Sequence, residues 1–189
     1  MAGENPMNYF RKLNATITPQ EFELLCLGLL QQTKDFSNLS NISVEHNKIY
    51  KAHDGTYQLD GYLEYTALGV KMKVIVECKL YKQSIKRDAI VVLHNKLQSI
   101  GAHKGIFMSS SGFQYGAVEY AKIHGIALIQ VVDGSILTIQ NSANPNIELL
   151  MQRYRNMPKH VALMYDLYSD FPSYRLPHGL EQFLTADFA

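Results

Sequence analysis

Asp60, Glu77 and Lys79 are the residues whose types and spacing best suit chemistry, and the chemistry is metal-assisted attack on a phosphate ester. They lie in two runs, Tyr57 to Thr66 and Lys71 to Leu80, joined by Ala67-Leu68-Gly69-Val70. The first run alternates Tyr57, Leu59, Gly61, Leu63 and Tyr65 against Gln58, Asp60, Tyr62 and Glu64, as a strand does. The second, Val74-Ile75-Val76-Glu77-Cys78-Lys79-Leu80, is mostly apolar, as a central strand covered on both faces is. A connection this short makes the pair an antiparallel hairpin. With its turn centred between Leu68 and Gly69, Asp60 faces Glu77, with Cβ atoms roughly 5 Å apart. Opposed like charges weaken a sheet. A pair kept in such a place is expected to hold something, and a hard divalent cation that takes carboxylate oxygens and keeps water for a phosphate is the natural occupant, magnesium above all. Lys79, two residues beyond Glu77, shares its face, while Cys78 points the other way. An ammonium there can orient or help deprotonate an attacking water and offset charge on a five-coordinate phosphorus. The plainer alternative is that the two acids pair separately with lysines such as Lys73 or Lys79, in ion pairs worth little.

These residues need a scaffold, and the rest of the chain supplies the signals for one. Thr18-Pro19-Gln20-Glu21 is a helix start: Thr18 as N-cap, Pro19 at the first helical position, Glu21 closing a capping box. Phe22, Leu25, Cys26, Leu29 and Leu30 follow at helical spacing, so a helix is expected from 19 to about 33. Residues 34–41 read as polar loop, Ile42 to Tyr50 as a short edge strand, and His53-Asp54-Gly55 as a turn. Ala89, Ile90, Leu93, Leu97 and Ile100 predict a helix from Arg87 to Ser99, stopped by Gly101. Then come a strand from Gly105 to Met108, a loop at Ser109-Ser110-Ser111-Gly112, a helix from Tyr115 to His124 and a buried strand from Ile126 to Val132. Strand–helix–strand–helix–strand order predicts right-handed crossovers and a mixed sheet with helices on both faces. Beyond Gly134, Ile136 to Ile139 is a candidate strand and Pro145 to Arg155 a candidate helix. Residues 156–189, with Pro158, Pro172, Pro177 and several tyrosines, read as an irregular appendage or an oligomer contact. The expected organisation is a leader at 1–17, one α/β domain at 18–140, and a helical or irregular extension of that domain at 141–189.

Bulk composition narrows the class. A chain of 189 residues with 47% hydrophobic content can bury a real core. A net charge of +1 does not announce a nucleic-acid partner, so any such surface must come from local clustering. Cys26 and Cys78 form no C-x-x-C pair, and the 7 histidines show no ligand spacing. Both cysteines sit among apolar residues and read as small core side chains. No apolar run of about 18 residues is present, so no membrane span is expected. The early residues lack a basic-then-apolar signal pattern, and the expected setting is the cytoplasm. No G-x-G-x-x-G and no P-loop occurs, which argues against a nucleotide-binding small-molecule enzyme.

Gln58-Leu59-Asp60-Gly61 followed by Val76-Glu77-Cys78-Lys79 resembles the PD-(D/E)xK nuclease signature, and more narrowly its Mrr-like restriction endonuclease branch. The likeness runs on through Ile85-Lys86-Arg87-Asp88, Leu93, Gly101-Ala102-His103-Lys104-Gly105, Ser109-Ser110-Ser111-Gly112-Phe113 and Ala117 to Ile126, covering roughly residues 18–134. It implies the restriction-endonuclease-like three-layer sandwich, a central mixed β-sheet flanked by helices. It implies Asp60 and Glu77 as ligands of magnesium (manganese able to substitute) and Lys79 as the catalytic lysine. It also implies a supporting carboxylate from the first helix. Glu21 and Glu23 are the choices; capping already explains Glu21, and Glu23 follows Phe22 as in the pattern of this branch, so the resemblance favours Glu23. Relatives often place a glutamine early in the helix after the lysine strand. That slot holds Val91 here, and His94, nearly one turn on, is the candidate substitute. The implied activity is metal-dependent endonucleolytic cleavage of DNA, in restriction of foreign or modified DNA. The alternatives are a DNA-repair nuclease or a catalytically weakened DNA-binding module of the same fold. Lys82, Lys86, Arg87, Lys104, Ser110 and Ser111 are the candidate phosphate contacts, set against the plain readings of a solvated rim and a turn. Since two nicks make a double-strand break, a homodimer is the expected form of a cutter of both strands.

Overall fold

The two residues that turn the hairpin both take positive φ, 49° at Leu68 and 79° at Gly69. This matches the right-handed twist of the strands they join. From that turn, in a computed structural model describing residues 16–31, 40–133, 160–165, 172–173 and 183–184, β2 (Thr56–Ala67) and β3 (Val70–Lys79) zip from Ala67↔Val70 to Gly61↔Val76. The register is the one expected from a turn centred between Leu68 and Gly69.

The remaining elements are α1 (Pro19–Gln31), β1 (Ser40–Lys51), α2 (Arg87–Ile100), β4 (Lys104–Ser109), α3 (Tyr115–Ile123), β5 (Ile126–Asp133), β6 (His160–Tyr165) and the two-residue β7 (Pro172–Ser173). The strands form one mixed sheet in the order β1-β2-β3-β4-β5-β6-β7. Pairing is parallel for β3–β4 and β4–β5 and antiparallel elsewhere. Two successive parallel crossovers of one hand, stepping in one direction, put their helices on the same face. Accordingly α2 and α3 pack together, while α1 lies against β1, β2 and β3 on the other face. The core divides into two layers. Phe22, Cys26, Leu27, Val76 and Cys78 lie in the layer under α1, and Leu59, Ile75, Ile90, Leu93 and Phe107 lie in the layer under α2 and α3. The result is a three-layer sandwich with a central mixed sheet.

The structure departs from the expected elements in two places, and from the expected alternation of β2 at Leu59, which lies under α2 and α3 while Gly61 and Leu63 face α1. β1 is a 12-residue strand rather than a short one. It covers the sheet edge with only its inward residues, such as Ile42 and Val44, half-buried, so its outward polar residues weaken the apolar signal. The second departure is in the tail. His160–Tyr165, expected to be irregular, pairs antiparallel with β5 from Asp133↔His160 to Ile129↔Met164. The parallel strand β5 would otherwise leave a long unpaired edge. Tyr165 is buried, its hydroxyl donating to Gln130 Oε1 at 3.1 Å and its ring meeting Phe113 edge-on at 5.0 Å. The expected strand at 136–139, the expected helix at 145–155 and most of the leader at 1–17 lie outside the described residues. Among the described residues, no helix is long and apolar enough to cross a membrane.

Candidate active site

The site forms where the β2–β3 ladder stops. Continued in register, the amide of Cys78 would seek the backbone of residue 59. It donates instead to the side chain of Asp60, at 2.8 Å from Oδ2. One carboxylate thereby replaces a rung of the sheet, and β2 parts from β3 at this point. On the other side of β2, pairing passes from His46↔Gly61 to Lys48↔Leu59, and Asn47 between them takes φ 53°. Gly61 lets the layers close here. A Cβ on it would stand 2.5 Å from Leu27 Cδ2 on α1 and 3.0 Å from Val76 Cβ on β3.

Alternation along β3 sends Val76 and Cys78 toward α1 and Glu77 and Lys79 toward α2. Lys79 Nζ sits 2.5 Å from Glu77 Oε1 and 3.6 Å from Asp60 Oδ2, so one ammonium joins the two acids. Glu77 is only 7% exposed, and its other oxygen, Oε2, receives Lys96 of α2 at 2.7 Å. The two acids feel opposite balances. Burial, reinforced by the charge of Glu77, holds the Asp60 carboxyl above its usual range, against the pull of the Cys78 amide and Lys79. Burial also acts to raise Glu77, but Lys79 and Lys96 more than offset it, and its carboxyl lies below the usual range. Burial alone would lower the Lys79 ammonium. The charge and hydrogen bond of Glu77, with the charge of Asp60, together outweigh it, and Lys79 is held protonated to higher pH than a free lysine.

This donor set fits a hard divalent cation. Two carboxylates lie within reach of a single cationic nitrogen, one sits at a strand end where the sheet opens, and all the side-chain acceptors are oxygens. Among the described residues no group of three or more His, Cys, Asp and Glu is arranged as a full metal cage. Two carboxylates with the remaining positions left to water and a phosphate oxygen is the usual habit of magnesium. The alternative of separate surface pairs does not describe the arrangement. Lys79 pairs with both acids at once, and Lys73 bonds the Tyr50 hydroxyl at 3.2 Å.

The helix carboxylates separate as their sequence context suggests. Glu21 closes the capping box, accepting from Thr18 N at 2.7 Å and Thr18 Oγ1 at 2.9 Å, while its own amide donates to Thr18 Oγ1 at 3.2 Å. Glu23 turns toward the sheet, pairs with His46 Nε2 at 2.8 Å, and its charge reaches Asp60. A cavity of about 520 Å³ opens beside it, lined by Thr18, Pro19, Gln20, Glu23, Asn47 and Gln58.

Other candidates are placed elsewhere. Lys82, Lys86 and Arg87 are exposed on the segment that leaves β3, with the Arg87 guanidinium 5.0 Å above the Tyr120 ring. Lys104 does not join them. It is buried beside Val74 at the opposite end of β4, its Nζ 5.2 Å from the Phe183 ring. Five strand steps separate it from Ser109, the partner of Lys79, which is roughly 16 Å at strand rise. Ser110 and Ser111 are buried, and their hydroxyls are already engaged. Ser110 Oγ accepts from the Tyr81 amide at 2.9 Å and donates to the Tyr81 carbonyl at 3.0 Å. Ser111 Oγ donates to the Gln83 carbonyl at 2.7 Å. These serines brace the 80–85 segment rather than offer donors to a ligand. His94 bonds the Tyr120 hydroxyl at 3.1 Å and stacks against His124 at 4.2 Å, on the seam between α2 and α3, so it does not stand in at the slot held by Val91. The α2 residue that does reach the acids is Lys96, which sequence reasoning missed. The available signal was its place beside Leu97 and three residues past Leu93, both on the buried face of the helix. Cys78 is a core thiol against Cys26, pushed well above its usual range by that contact and by burial.

Residues 14–138 match the Mrr catalytic family, described as restriction endonuclease. The chain is 24% identical over 135 residues to the type IV methyl-directed restriction enzyme EcoKMrr of Escherichia coli (strain K12). That match covers 71% of this chain and 42% of the relative, so the chain spans under half the relative's length. A solved structure, that of the protein of unknown function AF1548, superposes with a TM-score of 0.47 at 15% identity, covering 71% of this chain and 65% of that one.

Proposed function

Because the chain belongs to the restriction endonuclease family of Mrr catalytic domains, we propose that it is a magnesium-dependent endonuclease that hydrolyses DNA phosphodiester bonds at Asp60, Glu77 and Lys79. The observation that carries this reading is the single ammonium of Lys79 lying between two carboxylates where β2 and β3 part. Asp60 and Glu77 would hold the cation, for which manganese would substitute. The bound cation would polarise the scissile phosphate and acidify a water. Lys79, bonded to Glu77 and 3.6 Å from Asp60, would orient that water or help deprotonate it and offset charge on the phosphorus. Glu23, fixed by His46, supports Asp60 from the α1 side. Lys82, Lys86 and Arg87 supply phosphate contacts along the exposed rim. The place of β6 in the same sheet supports reading residues 141–189 as an extension of the domain at 18–140. The setting proposed is cytoplasmic restriction of foreign or modified DNA, with a homodimer cutting both strands.

The test is incubation of the protein with supercoiled plasmid and magnesium or manganese, beside Lys79→Ala and Asp60→Ala. Nicking or linearisation by the unaltered protein and its loss in both variants is the expected result. Equal cleavage by all three proteins would refute the site. Plasmid binding without cleavage in either metal would make the chain a DNA-binding module of this fold.

A further inference from the structure

Glu77 is held from two directions. Lys79 on its own strand takes Oε1 at 2.5 Å, and Lys96 from the helix above takes Oε2 at 2.7 Å. Lys96 is brought there by the packing of α2. Leu93 and Leu97 are buried against the sheet, and Lys96 lies beside them with its side chain only 20% exposed. Its stem therefore runs down to the sheet with the ammonium at the buried carboxylate. The four groups Asp60, Glu77, Lys79 and Lys96 sum to zero charge, while Glu23, whose charge also reaches Asp60, is held apart from them by His46 at 2.8 Å.

We propose that Lys96 is a positioning residue that serves as a built-in counter-cation, making divalent-ion binding depend on the arrival of a phosphodiester. The proposal rests on the reading of Asp60 and Glu77 as metal ligands. A doubly charged ion entering a balanced, largely enclosed cluster leaves two positive charges uncompensated. A phosphodiester brings one negative charge and an ionised water a second, which restores neutrality. Lys96 also occupies the Glu77 oxygen that a metal would otherwise be free to take. With Lys96 neutral, the two acids and Lys79 keep one net negative charge, and the ion gains a binding site without DNA. The phosphodiester then adds little to metal affinity.

The experiment is a manganese titration of the full chain by water-proton relaxation, alone and with a short phosphorothioate duplex. In the unaltered protein the duplex is expected to tighten manganese binding about tenfold or more. Lys96→Met, which keeps the apolar stem, is expected to tighten binding in the absence of duplex by about tenfold and to shrink the effect of the duplex to under about threefold. Lys96→Gln serves as a second neutral variant with the same expectation, and Lys96→Arg should behave as the unaltered protein. Asp60→Asn should abolish the binding. If Lys96→Met and Lys96→Gln bind manganese with unchanged affinity, or Lys96→Arg tightens it equally, the counter-cation role is overturned while the ligand assignment stands. If no form binds manganese with or without duplex, both the ligand reading and the inference fall.

Discussion

Neutralising the two facing acids should move stability in opposite directions. Asp60 and Glu77 differ little in burial but greatly in partners. Glu77 accepts from two ammonium groups, whereas Asp60 accepts one amide at 2.8 Å, sees Lys79 only at 3.6 Å, and faces the charge of Glu77. Asp60→Asn keeps an oxygen for the Cys78 amide and removes the like-charge repulsion. The expected change is from none to about 1 kcal/mol of stabilisation, the size of an opposed pair in a sheet. Glu77→Gln strips two partly buried lysines of their charge partner. Lys79 and Lys96 are 30% and 20% exposed and can turn toward water, so the loss sits below that of a fully buried pair, at about 1.5–3 kcal/mol. For a chain of this size that is a fall in Tm of roughly 4–10 °C, against a rise of at most about 3 °C for Asp60→Asn. The assay is thermal unfolding by circular dichroism in chelator. The pH dependence follows from the shifts. Glu77 titrates lower in the fold, so its contribution is present above the ordinary value of 4.5 and is lost only as pH falls below it. Asp60 titrates higher in the fold, so its ionisation costs stability above its raised pKa. The advantage of Asp60→Asn should therefore fade as pH falls toward the ordinary value of 3.8. Equal destabilisation by the two changes, or a larger loss for Asp60→Asn, would refute this account of the cluster.

Ser110→Ala leaves the Tyr81 amide and carbonyl without their shared partner and should cost about 2 kcal/mol. Amide exchange at Tyr81 should quicken, and unchanged exchange would show that the hydroxyl does not brace the segment. Gly61→Ala drives a methyl to 2.5 Å from Leu27 Cδ2 and 3.0 Å from Val76 Cβ, and should cost about 1–3 kcal/mol in urea unfolding. Gly28→Ala, on α1 next to Leu27 with nothing within 4 Å, should instead stabilise by up to about 1 kcal/mol, and a loss there would contradict the packing of α1.

The hairpin and its register were legible in the chain because both follow from local chemistry. A two-residue turn with positive φ and a period of two force Asp60 toward Glu77 and put Lys79 on the same face. The capping box was legible for the same reason, its partners being three residues apart. Lys96 was not, because its contact spans 19 positions and depends on how α2 is rotated over β3. Nor was the Glu23–His46 pair, formed across 23 positions between a helix and an edge strand. Lys104, Ser110 and Ser111 were misplaced by composition, since a polar side chain beside a strand end reads as a surface donor until its partners are known. The strand at 160–165 was hidden because a histidine and five apolar residues near prolines carry no period that distinguishes a sheet edge from a loop.

By itself, then, the order of residues settled the register of the hairpin, the sandwich that carries it and the face each β3 residue takes. These depend on steric and periodic rules acting over a few residues. The tertiary structure alone decided the charge balance of the site, with a second lysine descending from α2, and the withdrawal of Lys104 and the serines into structural roles. Coulombic and hydrogen-bond partners are chosen by how whole elements stack, and no local rule specifies that stacking.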